Sequence, residues 1–459
     1  MPAMMDLREK LRRFVRILAK NNTVTLTTRD SQGKVWSAKV FYADRDGYIY
    51  VILEDSGHTL RNIRENPEVF FVIENGSPES FLQGEGRAEV LGPTHAHPEE
   101  RSLITARNFP IVPFLKANPN TTVVRIRPTR VFVTDMSEGI LPRFEIDLSN
   151  GALSLLKEVY PRPSKLSLYV RATRPWVIYA TISAVIVGTL LAGRFDPVKF
   201  FLTLIGAALV HLAVNASSDL FDYLKGADRW DTLGSSRVLV DGLLKPREVL
   251  LLSLVLYALA LLTGLALWYL MGYDVRLLYL IGAGFVLGFF YAFVPVGWKY
   301  LALGDVAVFL AWSLISVGAY FVQTGQLSWK PFLGFAPVSL LIVAILQGNN
   351  MRDIADDVRS GYRTFAALIG PELSRYYYAL LVSGAYVLLL LLVFLRILTP
   401  WALLSLLTLP EAIRLIRWAF RPNYLQAGML DLYTAQLQTK FANAMIAGLL
   451  IDLLGRYLH

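Results

Sequence analysis

Residues 198–222 read VKFFLTLIGAALVHLAVNASSDLFD, an apolar run that ends in polar and acidic side chains. About 20 predominantly apolar residues are enough for an α-helix to cross a bilayer, so this stretch predicts a transmembrane helix. Ionisable side chains in such a helix are costly in hydrocarbon and mark functional sites. We therefore expect a membrane protein whose chemistry involves the carboxylates Asp219 and Asp222.

Similar apolar runs recur through most of the chain. Of the 459 residues, 54% are hydrophobic and 18% are charged, which is more apolar than an average soluble protein. Charges are spread through the first third of the chain, whereas long apolar runs follow Leu168. The sequence thus predicts a soluble domain over residues 1–145, a linker over 146–167 and an all-α polytopic membrane bundle over 168–459.

The membrane half contains about nine predicted transmembrane helices. Because no secretory segment precedes the soluble domain, we expect that domain in the cytoplasm and a multi-pass protein of the cell membrane. In this orientation most loop Lys and Arg residues fall on the cytoplasmic side, as the positive-inside rule requires. The predicted spans are residues 174–193, 198–220, 248–271, 275–294, 302–323, 332–350, 375–397, 399–417 and 437–455.

Composition excludes several classes of protein. The chain has no cysteine, which rules out disulfides, thiolate metal sites, iron–sulfur clusters and cysteine nucleophiles. The net charge of +9 would suit a nucleic-acid-binding protein. Lys and Arg lie mainly at the ends of apolar runs, however, where they orient a membrane protein. We therefore expect the lipid bilayer, and no nucleic acid, as a partner.

Acidic residues are scarce in the membrane half and concentrate in two clusters at predicted helix ends. Asp219 and Asp222 are three residues apart, and Asp353 and Asp357 are four apart, so each pair lies on one helix face. Magnesium prefers such hard oxygen ligands and bridges carboxylates to substrate phosphates. The alternative is two solvated helix ends that form ion pairs with nearby arginines. Two clusters, each with Asn upstream and Gly downstream, favour a magnesium site.

This arrangement suits a diphosphate bound between metal ions on one side of the membrane. If an allylic diphosphate leaves its carbon, metal and cationic side chains neutralise the charge that develops on it. The carbocation then forms in an apolar cavity from which water is excluded. The apolar remainder of the substrate would lie among the helices.

The two motifs resemble those of the UbiA superfamily of intramembrane prenyltransferases, in which an Asp-rich motif ends each of two helices. The resemblance covers about residues 165–459 and is especially similar to the branch that prenylates 1,4-dihydroxy-2-naphthoate in menaquinone biosynthesis. One residue departs from that branch, because Ser218 stands where Asn is usual. The segments that carry the resemblance are Asn215 to Asp219, Phe221 to Tyr223 with Gly226 and Asp228, Asn349 to Asp357 with Gly361 and Thr364, Arg171 to Pro175, Gly234 to Arg237 with Gly242 and Pro246, Tyr291, Pro295, Tyr300 and Leu303 to Asp305.

The resemblance implies that a polyprenyl diphosphate alkylates a carbon of an aromatic quinone precursor, with loss of a carboxyl group as CO₂ in the naphthoate branch. It also implies a role for particular residues. The implied magnesium ligands are Asp219, Asp222, Asp353 and Asp357, with Asp228 as a further candidate. The implied diphosphate contacts are Asn215, Arg237, Arg352 and Arg363, with Lys225 as a weaker candidate.

Tyr291 and Asp305 are candidate contacts to the aromatic substrate, because both lie near the predicted cytoplasmic face. Alternatively, the tyrosine anchors the chain at the interface and the aspartate lies in a solvated turn. Two other functions stay open: UbiA-type transfer to a glycerophosphate lipid or another aromatic acid, and ion-coupled transport. A transporter would place its charges nearer the membrane midplane than at one face.

The soluble domain has short predicted strands with helices at its edges, which is typical of a small, mainly-β closed barrel. The segment from Gly57 to Ile63, with Asn66 to Val69, resembles the flavin-binding split barrel of the pyridoxamine-phosphate-oxidase-like group. The predicted strands are residues 24–28, 36–42, 48–53, 69–73, 87–91 and 121–132.

That second resemblance implies FMN or a related flavin as a cofactor. Its candidate contacts are Lys39, Thr59, Arg61 and Asn62. Many such barrels have a Lys at the position of Thr59 to meet the cofactor phosphate, so Lys39 and Arg61 are left to supply positive charge. The alternative is a barrel that no longer binds a cofactor and serves as a docking module.

Overall fold

A computed structural model gives the fold as two compact units, Met1–Pro163 and Ser164–His459. Each unit has its own hydrophobic core. The structure describes residues 6–74, 76, 79–108, 110–136, 143–149, 152–160, 163–229, 232, 235–293, 297–420 and 428–458.

The N-terminal unit is built on a closed antiparallel barrel. Its strands follow the order β3-β2-β1-β4-β5-β6, and β3 also pairs with β6, so six strands close on themselves. β7 pairs with the second half of β6, beyond the part that β3 occupies. The strands are β1 Thr23–Arg29, β2 Val35–Arg45, β3 Tyr48–Glu54, β4 Glu68–Glu74, β5 Ser80–Pro93, β6 Thr121–Asp135 and β7 Arg143–Asp147. The predicted barrel is thereby confirmed.

Alternation of apolar and polar residues explains this barrel. In β1, Val24 and Leu26 are fully buried, whereas the intervening threonines are partly exposed, as expected where successive side chains point to opposite faces. Asp46 and Gly47 join β2 to β3, and both have positive φ values, of 53° and 83°. Two such residues form the tight turn whose twist matches a hairpin.

Helices cover the barrel and include part of the predicted linker. Leu156 is fully buried, and the hydroxyl of Tyr160 donates to a carboxylate oxygen of Asp44 at 2.5 Å. The predicted linker, residues 146–167, is therefore corrected, because its described residues up to Tyr160 pack as part of the N-terminal unit. Residues 150, 151, 161 and 162 lie outside the described part. The helices are α1 Leu7–Lys20, α2 His58–Glu65, α3 Pro98–Arg107, α4 Ile111–Ala117 and α5 Ala152–Val159.

The second unit is a bundle of apolar helices. Within the described residues, six helices are long and apolar enough to cross a membrane, namely α8, α9, α11, α12, α13 and α15 as bounded here. The protein is therefore a multi-pass membrane protein. The helices are α6 Lys165–Ala172, α7 Tyr179–Ala192, α8 Pro197–Leu224, α9 Pro246–Leu270, α10 Val275–Phe289, α11 Gly304–Thr324, α12 Lys330–Arg359, α13 Phe365–Phe394, α14 Leu409–Phe420 and α15 Leu430–Leu458.

The predicted number of nine spans is not confirmed. Some of the predicted apolar runs form a short helix or two separate helices instead of one continuous helix. α6 and α7 are bent by 53° at their junction and count as a seventh span only if taken together. α10 has 15 residues and is short for a bilayer. The predicted span 399–417 divides into a 3₁₀ helix, Pro400–Thr408, and α14. Pro410 lacks an amide hydrogen and opposes a regular helix across this junction.

α12 lies centrally among its neighbours and brings the second acidic motif into the bundle. It packs against α7, α11, α13 and α15, and its side chains Phe335, Val338 and Leu341 are fully buried. Close approach elsewhere depends on small residues, as is common between membrane helices. At Gly188 of α7, the carbonyl of Ser316 in α11 occupies the space that a Cβ would need.

Candidate active site

Asp219 lies near the end of α8 and is 4% exposed. The backbone amide of Ser236 donates to its Oδ2 at 2.7 Å. The guanidinium of Arg174 lies 3.5 Å from its Oδ1. Arg171 in turn donates to the carbonyl of Ser236 at 2.9 Å, so the α6 segment holds the loop that caps this carboxylate.

Asp222, one turn further along α8, is bound by the loop that precedes α11. The hydroxyl of Tyr300 donates to its Oδ1 at 2.6 Å, and the ammonium of Lys299 contacts its Oδ2. Ser218 also donates to Oδ2, at 3.5 Å, so the residue that departs from the naphthoate branch takes part in the site. Burial alone would lower the pKa of Lys299, but the Asp222 carboxylate, together with Tyr291 and Asp228, raises it above its ordinary value. Lys299 is therefore a cation.

Asp228 completes the first acidic cluster. Its backbone amide donates to the carbonyl of Asp222 at 3.2 Å, which turns the chain back over the end of α8. Burial raises the pKa of Asp228 well above its ordinary value, and the charges of Asp222 and Asp219 raise it further. A divalent cation would relieve this mutual repulsion.

The second motif is held by residues of two helices. Arg352 donates to Asp353 at 2.9 Å and 2.7 Å, one bond to each carboxylate oxygen. With its amide nitrogen facing the carboxylate, Asn349 donates to Oδ2 of Asp353 at 3.0 Å. Arg352 also donates to Asp431 of α15 at 2.8 Å. The hydroxyl of Thr364 donates to Oδ2 of Asp357 at 2.9 Å.

Lys225, which follows the first motif, and Tyr362, which follows the second, lie in contact with each other and with Tyr300. The ammonium of Lys225 lies 3.7 Å from the ring centre of Tyr300 and 4.4 Å from that of Tyr362, and the two rings are 4.5 Å apart. Burial raises the pKa of Tyr362, and the carboxylates of Asp222 and Asp357 raise it further. Tyr362 thus lies in the field of both motifs, which the fold has brought to one place.

The candidate diphosphate contacts fall into two groups. Arg237 donates to Asp241 at 3.0 Å and Asn215 to the carbonyl of Thr173 at 3.0 Å, so both are engaged with the protein, as is Arg352. Lys225 and Arg363 are exposed. An anion from solvent could therefore reach these two side chains directly.

Backbone strain concentrates around this site. Arg174, Arg237 and Ala302 have positive φ values, of 52°, 64° and 59°. Such conformations are uncommon for residues other than glycine and persist where the surroundings impose them, often at functional sites. Each of these residues lies in a loop that supplies a contact to an acidic motif.

Tyr291 lies near Lys299, whose ammonium is 5.9 Å from its ring centre, and Asp305 is buried rather than in a solvated turn. Asp305 is 6% exposed, and its Oδ2 has no hydrogen-bond partner among the described residues. Burial raises the pKa of Tyr291 to about 12, with Lys299 lowering it and Asp305 raising it. A buried carboxylate with a free oxygen suits a polar group of a substrate.

Residues 181–429 of the chain match the UbiA prenyltransferase family, and residues 7–135 match the pyridoxamine 5'-phosphate oxidase family. The first match covers more than half of the chain. The chain belongs to the UbiA prenyltransferase family. It is therefore a prenyltransferase with an N-terminal barrel like that of pyridoxamine-phosphate oxidases.

Named relatives agree with this assignment, and a solved structure is also similar to the chain. "UbiA prenyltransferase domain-containing protein 1" of Danio rerio is 36% identical over 262 residues, which are 55% of this chain and 76% of that protein. The Homo sapiens protein of the same name is 35% identical over 261 residues, covering 55% and 75%. The structure of a UbiA homologue from Aeropyrum pernix K1 has a TM-score of 0.49 and 18% identity, covering 60% of this chain and 97% of that one.

The acidic motifs of this UbiA protein fit magnesium by their donor chemistry. They offer carboxylate oxygens, which are the ligands that magnesium prefers. Among the described residues, no three His, Asp or Glu side chains converge closely enough to hold a metal ion alone. Magnesium usually keeps several waters and takes ligands from substrate phosphates, so one or two carboxylates for each ion are enough.

Several residues of the UbiA site were missed from the sequence. The sequence indicates only that Lys299 is one of the basic loop residues that orient the protein, although it contacts Asp222. Asp431 lies 78 residues after Asp353 and has no motif around it. Ser236 acts through its backbone amide, for which a sequence contains no direct signal. Tyr300 and Arg174 lay in segments that carried the resemblance but had received no role.

The candidate cofactor contacts of the barrel differ in their surroundings. Thr59 and Asn62 are buried at 6% exposure, and the Asn62 amide donates to the hydroxyl of Thr28 at 3.2 Å. Lys39 and Arg61 are exposed. These two cations fit an anionic cofactor group, whereas Thr59 offers one neutral hydroxyl in place of a charged contact.

Proposed function

We propose that this enzyme transfers a prenyl group from a polyprenyl diphosphate to an aromatic acceptor, with 1,4-dihydroxy-2-naphthoate as the preferred acceptor in menaquinone biosynthesis. The observation that carries the proposal is the meeting of the two acidic motifs around Lys225, Tyr300 and Tyr362. Family membership supports the reaction type and disfavours ion-coupled transport. The similarity of the second motif to the naphthoate branch supports the acceptor.

Asp219, Asp222, Asp353 and Asp357 would hold magnesium, with Asp228 beside the first pair. Bound magnesium would neutralise negative charge on the diphosphate leaving group. Lys225 and Arg363, which are exposed, would receive the diphosphate first. Lys299 is half-buried next to Asp222 and would turn its charge toward the leaving group as the carboxylate takes up the metal.

In the proposed reaction the bond between the allylic carbon and the diphosphate oxygen breaks, and that carbon bonds to a ring carbon of the acceptor. The acceptor carboxyl group leaves as CO₂, so the products are a prenylated dihydroxynaphthalene, diphosphate and CO₂. Asp305 and Tyr291 would orient the acceptor hydroxyl. Their support is the buried Oδ2 of Asp305, which has no hydrogen-bond partner among the described residues, and the proximity of Lys299 to Tyr291.

We place the active site at the cytoplasmic face of the cell membrane, with the N-terminal barrel also cytoplasmic. The basic loop residues support this orientation by the positive-inside rule. For the barrel we propose weak binding of FMN or a related flavin, supported by Lys39 and Arg61 and by the family match of residues 7–135.

The deciding experiment is incubation of the purified protein with Mg²⁺, polyprenyl diphosphates of several lengths and a panel of acceptors. The panel contains 1,4-dihydroxy-2-naphthoate, 4-hydroxybenzoate and a glycerol phosphate, and products are measured by mass spectrometry. We expect the prenylated naphthoate product with the mass of CO₂ missing. A preference for 4-hydroxybenzoate or glycerol phosphate would reject the proposed acceptor and leave prenyl transfer in place.

A further inference from the structure

Arg352 lies between two carboxylates that come from different helices. It donates to both oxygens of Asp353 in α12 and, at 2.8 Å, to Oδ2 of Asp431 in α15. The Arg352 side chain is 5% exposed, and the two carboxylates are 11% and 19% exposed. A guanidinium in such surroundings is strongly attracted to both anions.

The fold holds Asp431 in place beside this arginine. Its Oδ1 accepts the backbone amide of Leu432 at 2.8 Å. Gly348 lies one turn before Arg352 on α12, and a Cβ there would lie 3.0 Å from the backbone nitrogen of Asp431. Tyr378 of α13 and Thr434 share a hydrogen bond of 2.7 Å. The first turn of α15 is therefore fixed against α12 and α13.

We propose that Asp431 is a positioning residue for the second metal motif, and that Arg352 acts on Asp353 rather than on the diphosphate. This inference rests on the proposed function, because it takes Asp353 as a magnesium ligand. Arg352, Asp353 and Asp431 together carry one net negative charge. Asp431 neutralises Arg352 and so leaves the charge of Asp353 for the metal.

Removal of Asp431 alone would change this balance. The charges of Arg352 and Asp353 would then cancel. The pair would have no net charge to attract a divalent cation. Removal of Arg352 and Asp431 together would restore the single negative charge. A purely structural role of Asp431 predicts the opposite, since a second lost contact would add to the damage of the first.

The test measures the affinity of the purified full-length protein for Mn²⁺ at saturating inorganic pyrophosphate. Electron paramagnetic resonance detects the Mn²⁺. The proteins compared are the wild type, Asp431→Asn, the double variant Arg352→Gln with Asp431→Asn, Asp353→Asn and Asp452→Asn. Asp452 is the matched control, because it lies on the same helix and accepts from Thr399 at 3.0 Å, remote in sequence from the motif. Thermal unfolding of each variant checks its fold.

We expect Asp431→Asn to bind Mn²⁺ about tenfold more weakly than the wild type, since one nearby charge is lost. The double variant should return to within about threefold of the wild type, and Asp452→Asn should not differ from it. Wild-type affinity of Asp431→Asn, or a double variant weaker than Asp431→Asn, would overturn the inference. Wild-type affinity of Asp353→Asn would instead reject the proposed metal ligand. The two failures are therefore distinguishable.

Discussion

A single carboxylate, Asp222, joins the end of α8 to the loop before α11. It accepts from Tyr300 at 2.6 Å and contacts Lys299, while Lys299 also donates to Ser218 at 3.4 Å. Hydrogen bonds to a charged group are among the stronger ones in proteins. Tyr300 therefore fixes one oxygen of Asp222 in position for a cation and leaves the other to Lys299.

Replacement of Tyr300 by phenylalanine tests this role, because it removes the hydroxyl and keeps the ring beside Lys225 and Tyr362. Loss of a hydrogen bond to a carboxylate costs about 1.5–3 kcal/mol, so we expect kcat/KM to fall by about tenfold to a hundredfold. The measurement is prenyl transfer at varied Mg²⁺ concentration. Tyr376→Phe is the control, since Tyr376 is 59% exposed on α13. Equal activity of both variants would exclude the positioning role of Tyr300.

At the scale of helices, the bundle depends on close contacts that leave no space for larger side chains. The carbonyl of Ser316 fills the position of a Cβ at Gly188, so α7 and α11 approach as closely as their backbones allow. Gly318 lies on α11 only two residues from Ser316, yet no atom lies within 4 Å of the Cβ it would carry.

We predict that Gly188→Val lowers the thermal unfolding midpoint of the purified protein by several degrees, because overpacking costs roughly 1–3 kcal/mol. Gly318→Val should shift the midpoint far less, since its side chain meets open space. Circular dichroism or tryptophan fluorescence during heating gives both values. Similar midpoints for the two variants would show that the contact of α7 with α11 is not tight.

Much of this architecture was predictable from local patterns. The strands of the barrel followed from alternation, and the acidic motifs followed from aspartates three and four residues apart at the ends of apolar runs. The short α10 and the broken segment around Pro400 were not predicted, because hydropathy measures apolar length and not helical continuity. Asp431 and the Ser236 amide were missed for another reason, since both reach the motifs only through tertiary packing.

At the scale of the whole molecule, the chain combines two units with separate cores. α5 belongs to the barrel, since Leu156 is fully buried in its core and Tyr160 donates to Asp44. Every proposed ligand for metal and diphosphate lies in the second unit, Ser164–His459. The barrel should therefore fold without the bundle, and the bundle should not need the barrel for chemistry.

We predict that residues 1–163 expressed alone are soluble and more stable than residues 1–145, because only the longer fragment contains α5, the end of β7 and the buried side chains of Ile146 and Leu148. Thermal unfolding compares the two fragments. The longer fragment should bind FMN weakly, as measured by flavin fluorescence, since Thr59 replaces a charge-assisted contact. Equal stability would show that α5 and the end of β7 do not stabilise the barrel, and absence of flavin binding would favour a docking module.

A second fragment beginning at Pro163 tests the independence of the bundle. We expect it to retain prenyl transfer at a rate similar to that of the full chain, measured in the same detergent or lipid. Loss of transfer in a fragment that unfolds at the temperature of the full chain would show that the barrel contributes to the membrane site.

The central claim is that the motifs of α8 and α12, far apart in sequence, form one magnesium-dependent site. It is tested most directly by the prenyl transfer rate of Asp219→Asn and Asp353→Asn, each compared with the wild type and with Asp356→Asn. Asp356 lies on α12, three residues after Asp353, and forms an ion pair with Arg359 at 2.6 Å. It therefore serves as the matched control. We predict that each of the first two variants loses turnover without unfolding, that Asp356→Asn retains it, and that chelation of Mg²⁺ abolishes it in the wild type. Near wild-type transfer by folded Asp219→Asn or Asp353→Asn would contradict the claim.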